Sequence, residues 1–398
     1  MKDKLTPNVK YILDKLNNNG YLAYLVGGAV RDVIMGKTPG DFDITTSAKP
    51  NEVIQVFKGE VASTNGLKHG TVGVKHNSEY FEITTFRTET TYKDNRHPDE
   101  VTFVLDYYMD AKRRDFTINA IAYDHINDRY LDFFNGIDDI QNKVIRCVGN
   151  PMMRFEEDAL RILRAVRFAS VLGFTIDAET EEAMFQKEHL LTSVAIQRIN
   201  IEICKAIEGE NFPMLFEKYF CIYRHGLPQI LANSVNFMAL KPFSEKIIFN
   251  LVDNLSLIFS EEASKCDIYQ LLIEKSFSKA TSKKVYDVCY IINGELDKNA
   301  WKKAFINYPI DVIESANKCA KAKGLFTLDK DLFNHYKNCC KRTELKVNGN
   351  DIYQVINNKN EINDYTIKLL EAVMDNKVSN SHDELLRYLE ELKACKNS

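Results

Sequence analysis

Apolar residues return every three or four positions at the start of the chain, at Val9, Ile12, Leu13 and Leu16. That period predicts an amphipathic helix within residues 1–20, closed by Gly20. The pattern then changes. An apolar strand ends at Val26, followed by a Gly27-Gly28 turn, a short helix carrying Arg31 and Asp32, and a loop holding Pro39 and Gly40. A second strand carries Asp41 and Asp43, and a helix begins near Lys49 with Pro50 in its first turn. From Glu60 to Arg87 the residues are those of strands. Thr71 to Val74 and Tyr80 to Phe86 are rich in β-branched and aromatic side chains. Residues 88–100 are polar and contain Pro98, so they read as a long loop. Short strands follow at Val101–Leu105 and Tyr130–Phe134. Between them Ala111 to Tyr123 begins basic and ends apolar.

After Gly136 helical spacing takes over. Arg154 to Ser170, Asn200 to Glu208, Met214 to Tyr223, Lys246 to Phe259 and Val285 to Ile292 all fit buried or half-buried helices. A turn at Asn348-Gly349-Asn350 opens a last helical unit. The order predicts an α+β fold, with a small mixed β-sheet in an N-terminal head and an all-α remainder.

Composition narrows the class. At 398 residues the chain exceeds one ordinary domain, so two to four units are expected. No apolar run of about eighteen residues is present, which predicts no membrane span. The N-terminus lacks an apolar signal core, and a cytoplasmic location is expected. Nine cysteines without a CxxC pair argue against a disulfide framework and a zinc site. A net charge of −4 does not announce a nucleic-acid binder, but binding phosphate needs only a local basic surface.

Three stretches carry candidate chemistry. In the first, Gly27 and Gly28 let backbone N–H groups approach a phosphate beside a helix N-terminus. Asp41 and Asp43, two apart on a strand, would aim carboxylates one way, their Cα atoms roughly 7 Å apart. That pair suits a divalent metal, and metal with phosphate suggests phosphoryl transfer. A lone D-x-D is also compatible with a solvated turn. Glu82 is the best candidate for a third carboxylate; a solubilising charge on an edge strand is its other reading.

The second stretch is Lys112-Arg113-Arg114-Asp115 with Asn119. If helical, it puts Asp115 and Asn119 on one side, where they suit ribose hydroxyls, while arginines suit triphosphate oxygens. The alternative is a helix start, with Asp115 as cap and the basic residues solvated.

The third is Arg154 to Ser170, read as one helix. On it Glu157 and Arg161 are i,i+4 neighbours, and Asp158 and Arg161 are i,i+3 neighbours. They form either a surface ion pair worth a few tenths of a kcal/mol or a base-reading edge. Cytosine and adenine both offer an amino donor beside a ring-nitrogen acceptor. Asp158 could accept from the amino group and Arg161 donate to the ring nitrogen, rejecting guanine and uracil, with Glu157 holding Arg161.

Together and in this order, these stretches resemble the class II CCA-adding enzymes (tRNA nucleotidyltransferases), which share a superfamily with bacterial poly(A) polymerases. Leu25 to Ala48, with GGAVRD and D-x-D, resembles the family's motif A, and Arg113 to Ala120 (RRDFTINA) resembles motif B. Asp132 to Val148 resembles motif C, Glu157 to Arg161 (EDALR) matches motif D, and Ala195 to Lys205 resembles motif E more loosely, with Gln197 where the family commonly has Glu.

The resemblance implies template-independent addition of C, C and A to the 3′ end of tRNA from CTP and ATP. Asp41 and Asp43 would hold two Mg²⁺ ions, with Glu82 as a further catalytic candidate. Phosphate and sugar contacts fall to Gly27, Gly28, Arg31, Arg114, Asp115 and Asn119. Base selection falls to Glu157, Asp158 and Arg161, with Arg164 alongside. A flexible loop carrying Arg87, Asp94 and Arg96, which CC-adding relatives lack, favours the switch from C to A. NGLKHGTVGV at residues 65–74 stands where poly(A) polymerases usually carry an Arg-rich segment.

The family further implies a hook-shaped molecule: catalytic head 1–140, helical neck 141–212, body 213–340 and tRNA-contacting tail 341–398, with no membrane and no DNA partner. The readings it must be weighed against are an A-adding or polyadenylating sibling and a catalytically idle RNA-binding protein. Intact Asp41, Asp43 and EDALR argue against idleness.

Overall fold

Thr6 starts the first helix: its hydroxyl accepts from the Val9 N–H at 3.3 Å, and Pro7 takes the first helical position. The computed structural model describes residues 1–89, 101–228, 249–261, 266–339 and 341–397. These divide into two compact units, Met1–Gly226 and Leu227–Ser398.

In the first unit α1 (Pro7–Asn18) is followed by β1 (Ala23–Val26), α2 (Gly28–Ile34), β2 (Asp43–Thr46) and α3 (Pro50–Val56). Then come β3 (Val61–Ser63), β4 (Thr71–His76), β5 (Glu79–Thr85), β6 (Arg87–Glu89), β7 (Val101–Phe103) and α4 (Tyr107–Lys112). The chain continues through β8 (Ala122–Asp124), β9 (Arg129–Leu131), α5 (Gly136–Gln141), β10 (Val144–Ile145), α6 (Pro151–Glu157) and α7 (Leu160–Leu172). It closes with β11 (Thr175–Ile176), α8 (Ala178–Lys187), α9 (Ile196–Ile207), α10 (Phe212–Leu215) and α11 (Phe220–Tyr223).

Seven strands form one mixed sheet in the order β3-β4-β5-β2-β1-β8-β9. Only β2 and β5 run parallel in it. β6 and β7 make a separate antiparallel ribbon, and β10 and β11 a short parallel pair. The head's core includes Tyr24, Val26, Phe86, Tyr107, Ala120, Ala122 and Val148.

The second unit is helical. It holds α12 (Leu251–Phe259), α13 (Ile268–Glu274), α14 (Lys279–Ile292), α15 (Lys298–Asn307) and α16 (Ile310–Ala322), then α17 (Lys330–Asn338), α18 (Gly349–Ile356), α19 (Ile362–Met374) and α20 (His382–Asn397). Its single tryptophan, Trp301, is fully buried, and its indole N–H donates to the Phe326 carbonyl at 3.2 Å. Among the described residues no helix is long and apolar enough to cross a membrane.

The α+β expectation holds, and several local expectations do not. Asp41 lies ahead of β2, in the loop. The ladder ends where Val26 pairs with Asp43, because the chain beyond Val26 turns away at Gly27. Residues 88 and 89 belong to a strand, since Thr88 and Glu89 pair with Thr102 and Val101. Asp115 and Asn119 do not share an α-helix, and Asp115 caps none. α4 ends at Lys112, and Asn119 closes a single 3₁₀ turn over Thr117–Asn119. Arg154 to Ser170 is two helices, parted at Asp158, whose backbone is extended (φ −143°, ψ 101°). There the Asp158 carboxylate accepts from the Leu160 N–H at 3.1 Å, so a short acidic side chain takes a bond a continuous helix would need. Asn348 is no turn residue but the cap of α18, accepting from the N–H groups of Asn350 and Asp351.

Candidate active site

The close of β1 fixes the first wall of the site. Gly27 sits at φ 70°, in the left-handed region that glycine tolerates. A Cβ built there would lie 3.3 Å from Asp43 Oδ2. The turn therefore needs glycine for its backbone and for the room it leaves Asp43. Helix α2 then presents Arg31. Its guanidinium donates to Asp32 Oδ1 (2.8 and 3.0 Å) and to Asn119 Oδ1 (3.0 Å).

Asn119 links this wall to the next. Its amide donates to Asp115 Oδ1 at 3.2 Å, and the same oxygen accepts the Phe116 N–H at 2.8 Å. Asp115 Oδ2 takes both Arg164 Nε (2.8 Å) and Nη2 (2.5 Å), a two-pronged pair from α7. Burial by itself would raise the Asp115 carboxyl; Arg164 and these N–H donors overcome it and hold the group at about 2. Close packing sets the 3₁₀ turn: a Cβ at Gly136, the start of α5, would lie 2.3 Å from the Thr117 carbonyl oxygen.

The break at Asp158 forms the third wall. Arg161 Nη1 donates to Glu157 at 2.8 Å and to the Arg154 carbonyl at 3.1 Å, and its Nη2 donates to the Arg113 carbonyl at 2.9 Å. Asp158 Oδ2 is met by Arg198 Nη2 of α9 at 3.4 Å. One helical turn on, Glu202 of α9 pairs with Arg167 at 3.1 Å. The Arg31, Arg164 and Arg167 guanidinium groups stand 5.3, 5.5 and 4.3 Å from the Phe168 ring centroid.

These walls enclose a cleft of about 630 Å³ lined by Gly27, Gly28, Arg31, Asp41, Asp43, Arg113, Arg114, Asp115, Asn119, Asp158, Leu160, Arg161, Arg164, Arg167, Phe168 and Arg198. Seven arginines face four carboxylates, the balance expected of a site for a polyanion. The Asp43 carboxyl is raised above its usual range: the cleft strips its hydration, Arg114 opposes the rise and Asp41 adds to it. A cation between the two aspartates would relieve that cost. Among the described residues no group of three or more His, Cys, Asp or Glu forms a metal cluster.

Of the expected site residues, the cleft brings together Asp41, Asp43, Gly27, Gly28, Arg31, Arg114, Asp115, Asn119, Asp158, Arg161 and Arg164. Glu157 stands behind Arg161. Glu82 does not line the cleft. It is exposed on β5, one residue before the Ile83 that pairs with Ile44, and so level with Asp43. Arg87 opens β6, and Asp94 and Arg96 lie outside the described residues. Arg167, Phe168 and Arg198 also line the cleft, though they are not among the expected site residues. Phe168 shares the helix face of Arg161 and Arg164, i+7 and i+4 from them, and that spacing is the local signal that could have found it; which face of α9 meets α7 depends on packing that no local pattern reports.

Comparison with known proteins accords with this geometry. The family model "Poly A polymerase head domain" matches residues 23–146, and "Probable RNA and SrmB- binding site of polymerase A" matches residues 173–219. The CCA-adding enzyme of Ligilactobacillus salivarius is 37% identical over 349 residues, covering 86% of this chain and 85% of its own. That of Staphylococcus epidermidis is 34% identical over 406 residues, covering 98% and 99%. The crystal structure of the Bacillus stearothermophilus CCA-adding enzyme in complex with CTP aligns over 99% of both chains, with a TM-score of 0.77 and 28% identity. The chain belongs to the CCA-adding enzymes, nucleotidyltransferases of the poly(A) polymerase family.

Proposed function

We propose that this chain adds C, C and A to the 3′ end of tRNA from CTP and ATP, releasing pyrophosphate, with nucleotide choice made by side chains and no nucleic-acid template. The observation that carries the reading is the single cleft that unites the Asp41–Asp43 pair, the Gly27-Gly28 turn and the Asp158–Arg161 edge.

In this reading the N–H groups of the glycine turn, Arg31 and Arg114 bind the triphosphate. Arg31 is fixed by Asp32 and Asn119, so it is oriented before nucleotide arrives. Asp115, kept ionised by Arg164, and Asn119 take the ribose hydroxyls. Asp158 accepts from the amino group of cytosine or adenine, and Arg161 donates to the ring nitrogen. Glu157 and the Arg113 carbonyl hold Arg161 against rotation.

Asp41 and Asp43 fit Mg²⁺ by donor chemistry, and the raised Asp43 carboxyl marks an unbalanced pair. The bound ions would supply activation of the tRNA 3′-hydroxyl and charge neutralisation of the triphosphate and leaving pyrophosphate. Glu82, level with Asp43 on the neighbouring strand, is our candidate for a third carboxylate. We read residues 1–140 as the catalytic head, 141–212 as the neck, 213–340 as the body and 341–398 as the tRNA-contacting tail. Extension of tRNA lacking its CCA end, with each nucleotide singly and then with CTP and ATP together, tests the proposal.

A further inference from the structure

Asp110 of α4 is fully buried and does not line the cleft. Four donors converge on its carboxylate. Oδ1 accepts from Arg113 Nε (3.0 Å), Arg113 Nη2 (2.8 Å) and the Arg87 backbone N–H (3.2 Å), and Oδ2 accepts from Arg114 Nη2 (3.0 Å). Arg113 Nε also donates to the Arg87 carbonyl at 3.2 Å. Burial would raise this carboxyl, but Arg114 and Arg113 hold it below its usual range.

One buried anion thus holds two cleft arginines and the first residue of the β6–β7 ribbon. The alternative partners of Arg114 are Asp43 and Asp115, which line the same cleft. Arg114 Nη1 reaches only the Asn119 carbonyl, at 3.5 Å, and Nε has no hydrogen-bond partner among the described residues. With Nη2 tied back to Asp110, Arg114 is held in place where it lines the cleft and is restrained from closing on the carboxylate of Asp43.

We propose that Asp110 is a positioning residue for nucleotide binding, and that it works through Arg114 by holding that guanidinium ready for the triphosphate. This rests on the reading that Arg114 binds the triphosphate. A group that acts by presenting a binding arginine changes affinity more than the chemical step, and its effect disappears when that arginine is gone.

The test is a double-mutant cycle on the full chain, with KM and kcat for CTP addition, CTP affinity without tRNA, and the melting temperature. Arg114→Gln is expected to raise KM for CTP about tenfold. Asp110→Asn is expected to raise it by a similar factor, with kcat changed less than about threefold. The double variant is expected to be no worse than Arg114→Gln within about twofold. If Asp110→Asn melts too low to assay, Asp110→Glu, which keeps the charge but lengthens the arm, carries the same cycle. A normal KM in Arg114→Gln would overturn the assignment of Arg114 and the inference with it. A raised KM in Arg114→Gln, together with a normal KM at Asp110 or multiplying effects in the double variant, would overturn the inference alone.

Discussion

Arg198 of α9 donates to Asp158 at 3.4 Å, at the residue where α6 and α7 part. Both proposed base-reading groups are therefore held from within their segment and from outside it: Asp158 by the Leu160 N–H and Arg198, Arg161 by Glu157 and the Arg113 carbonyl. If Asp158 and Arg161 choose the base, Asp158→Ala and Arg161→Ala should each reduce the preference for C and A over U and G by about tenfold or more. Arg198→Ala should relax it less, because Asp158 keeps its bond to the Leu160 N–H. Competition assays with all four nucleotides measure this, and unchanged preference in the first two variants would contradict the edge.

The glycine at the end of β1 should matter for activity more than for stability. Gly27→Ala forces a side chain into the left-handed region and sets a methyl 3.3 Å from Asp43 Oδ2. A fold cost of about 1 kcal/mol is expected, with nucleotide addition reduced about a hundredfold if Asp43 is displaced by about 1 Å. Denaturant titration alongside steady-state rates checks the pair of numbers. Near-normal addition would mean that Asp43 has more room than the turn suggests.

Removing the acidic pair should separate chemistry from RNA binding. Asp41→Ala combined with Asp43→Ala is expected to lower addition by at least about a thousandfold while tRNA still binds in a gel-shift assay. Glu82→Gln is expected to cost less, about tenfold, and to raise the Mg²⁺ concentration needed for half-maximal rate. An unaltered rate and Mg²⁺ dependence in Glu82→Gln would leave Asp41 and Asp43 as the whole protein contribution to the metal site.

The raised carboxyl of Asp43 fixes the sign of a stability effect. Lost hydration is the main cause, with Arg114 opposing and Asp41 adding. An acid that binds its proton more tightly in the folded chain withdraws stability as pH rises through its folded pKa. Asp43→Asn should therefore melt slightly higher than the parent at neutral pH in chelator, by about 1 °C or less because Asp43 is more than a third exposed to solvent. The gap should shrink as the pH falls through about 4 and vanish well below it, where the aspartate is protonated in folded and unfolded chains alike. A variant that melts lower at neutral pH would contradict the strained-pair account.

Much of this site was legible in the sequence, for reasons that differ by residue. The Gly27-Gly28 turn and the Asp41–Asp43 spacing are local, so pattern and chemistry sufficed to find them. Asp115 and Asn119 are neighbours, but not through the helix that their spacing suggests. A 3₁₀ turn brings them together, because the chain leaves α4 at Lys112 and packs Thr117 against Gly136. Glu157 and Arg161 pair as their spacing suggests, yet across a helix break that only the Asp158 backbone reveals. Arg198 and Arg167 could not be placed from sequence, since their role depends on how α9 packs on α7. The spacing of Phe168 from Arg161 and Arg164 is legible, but not that three guanidinium groups surround its ring. Asp110 reads as an ordinary early helical acid until its burial and four donors are seen.

The most direct measurement of the central claim is the sequence of product 3′ ends. Transfer RNA that stops before its CCA is incubated with the protein, Mg²⁺, CTP and ATP, and the ends are read individually. The account predicts that most molecules gain C, C and A and then stop, that CTP alone gives two added residues, and that ATP alone gives little. A long A tail, or growth only on tRNA already ending in CC, would contradict it.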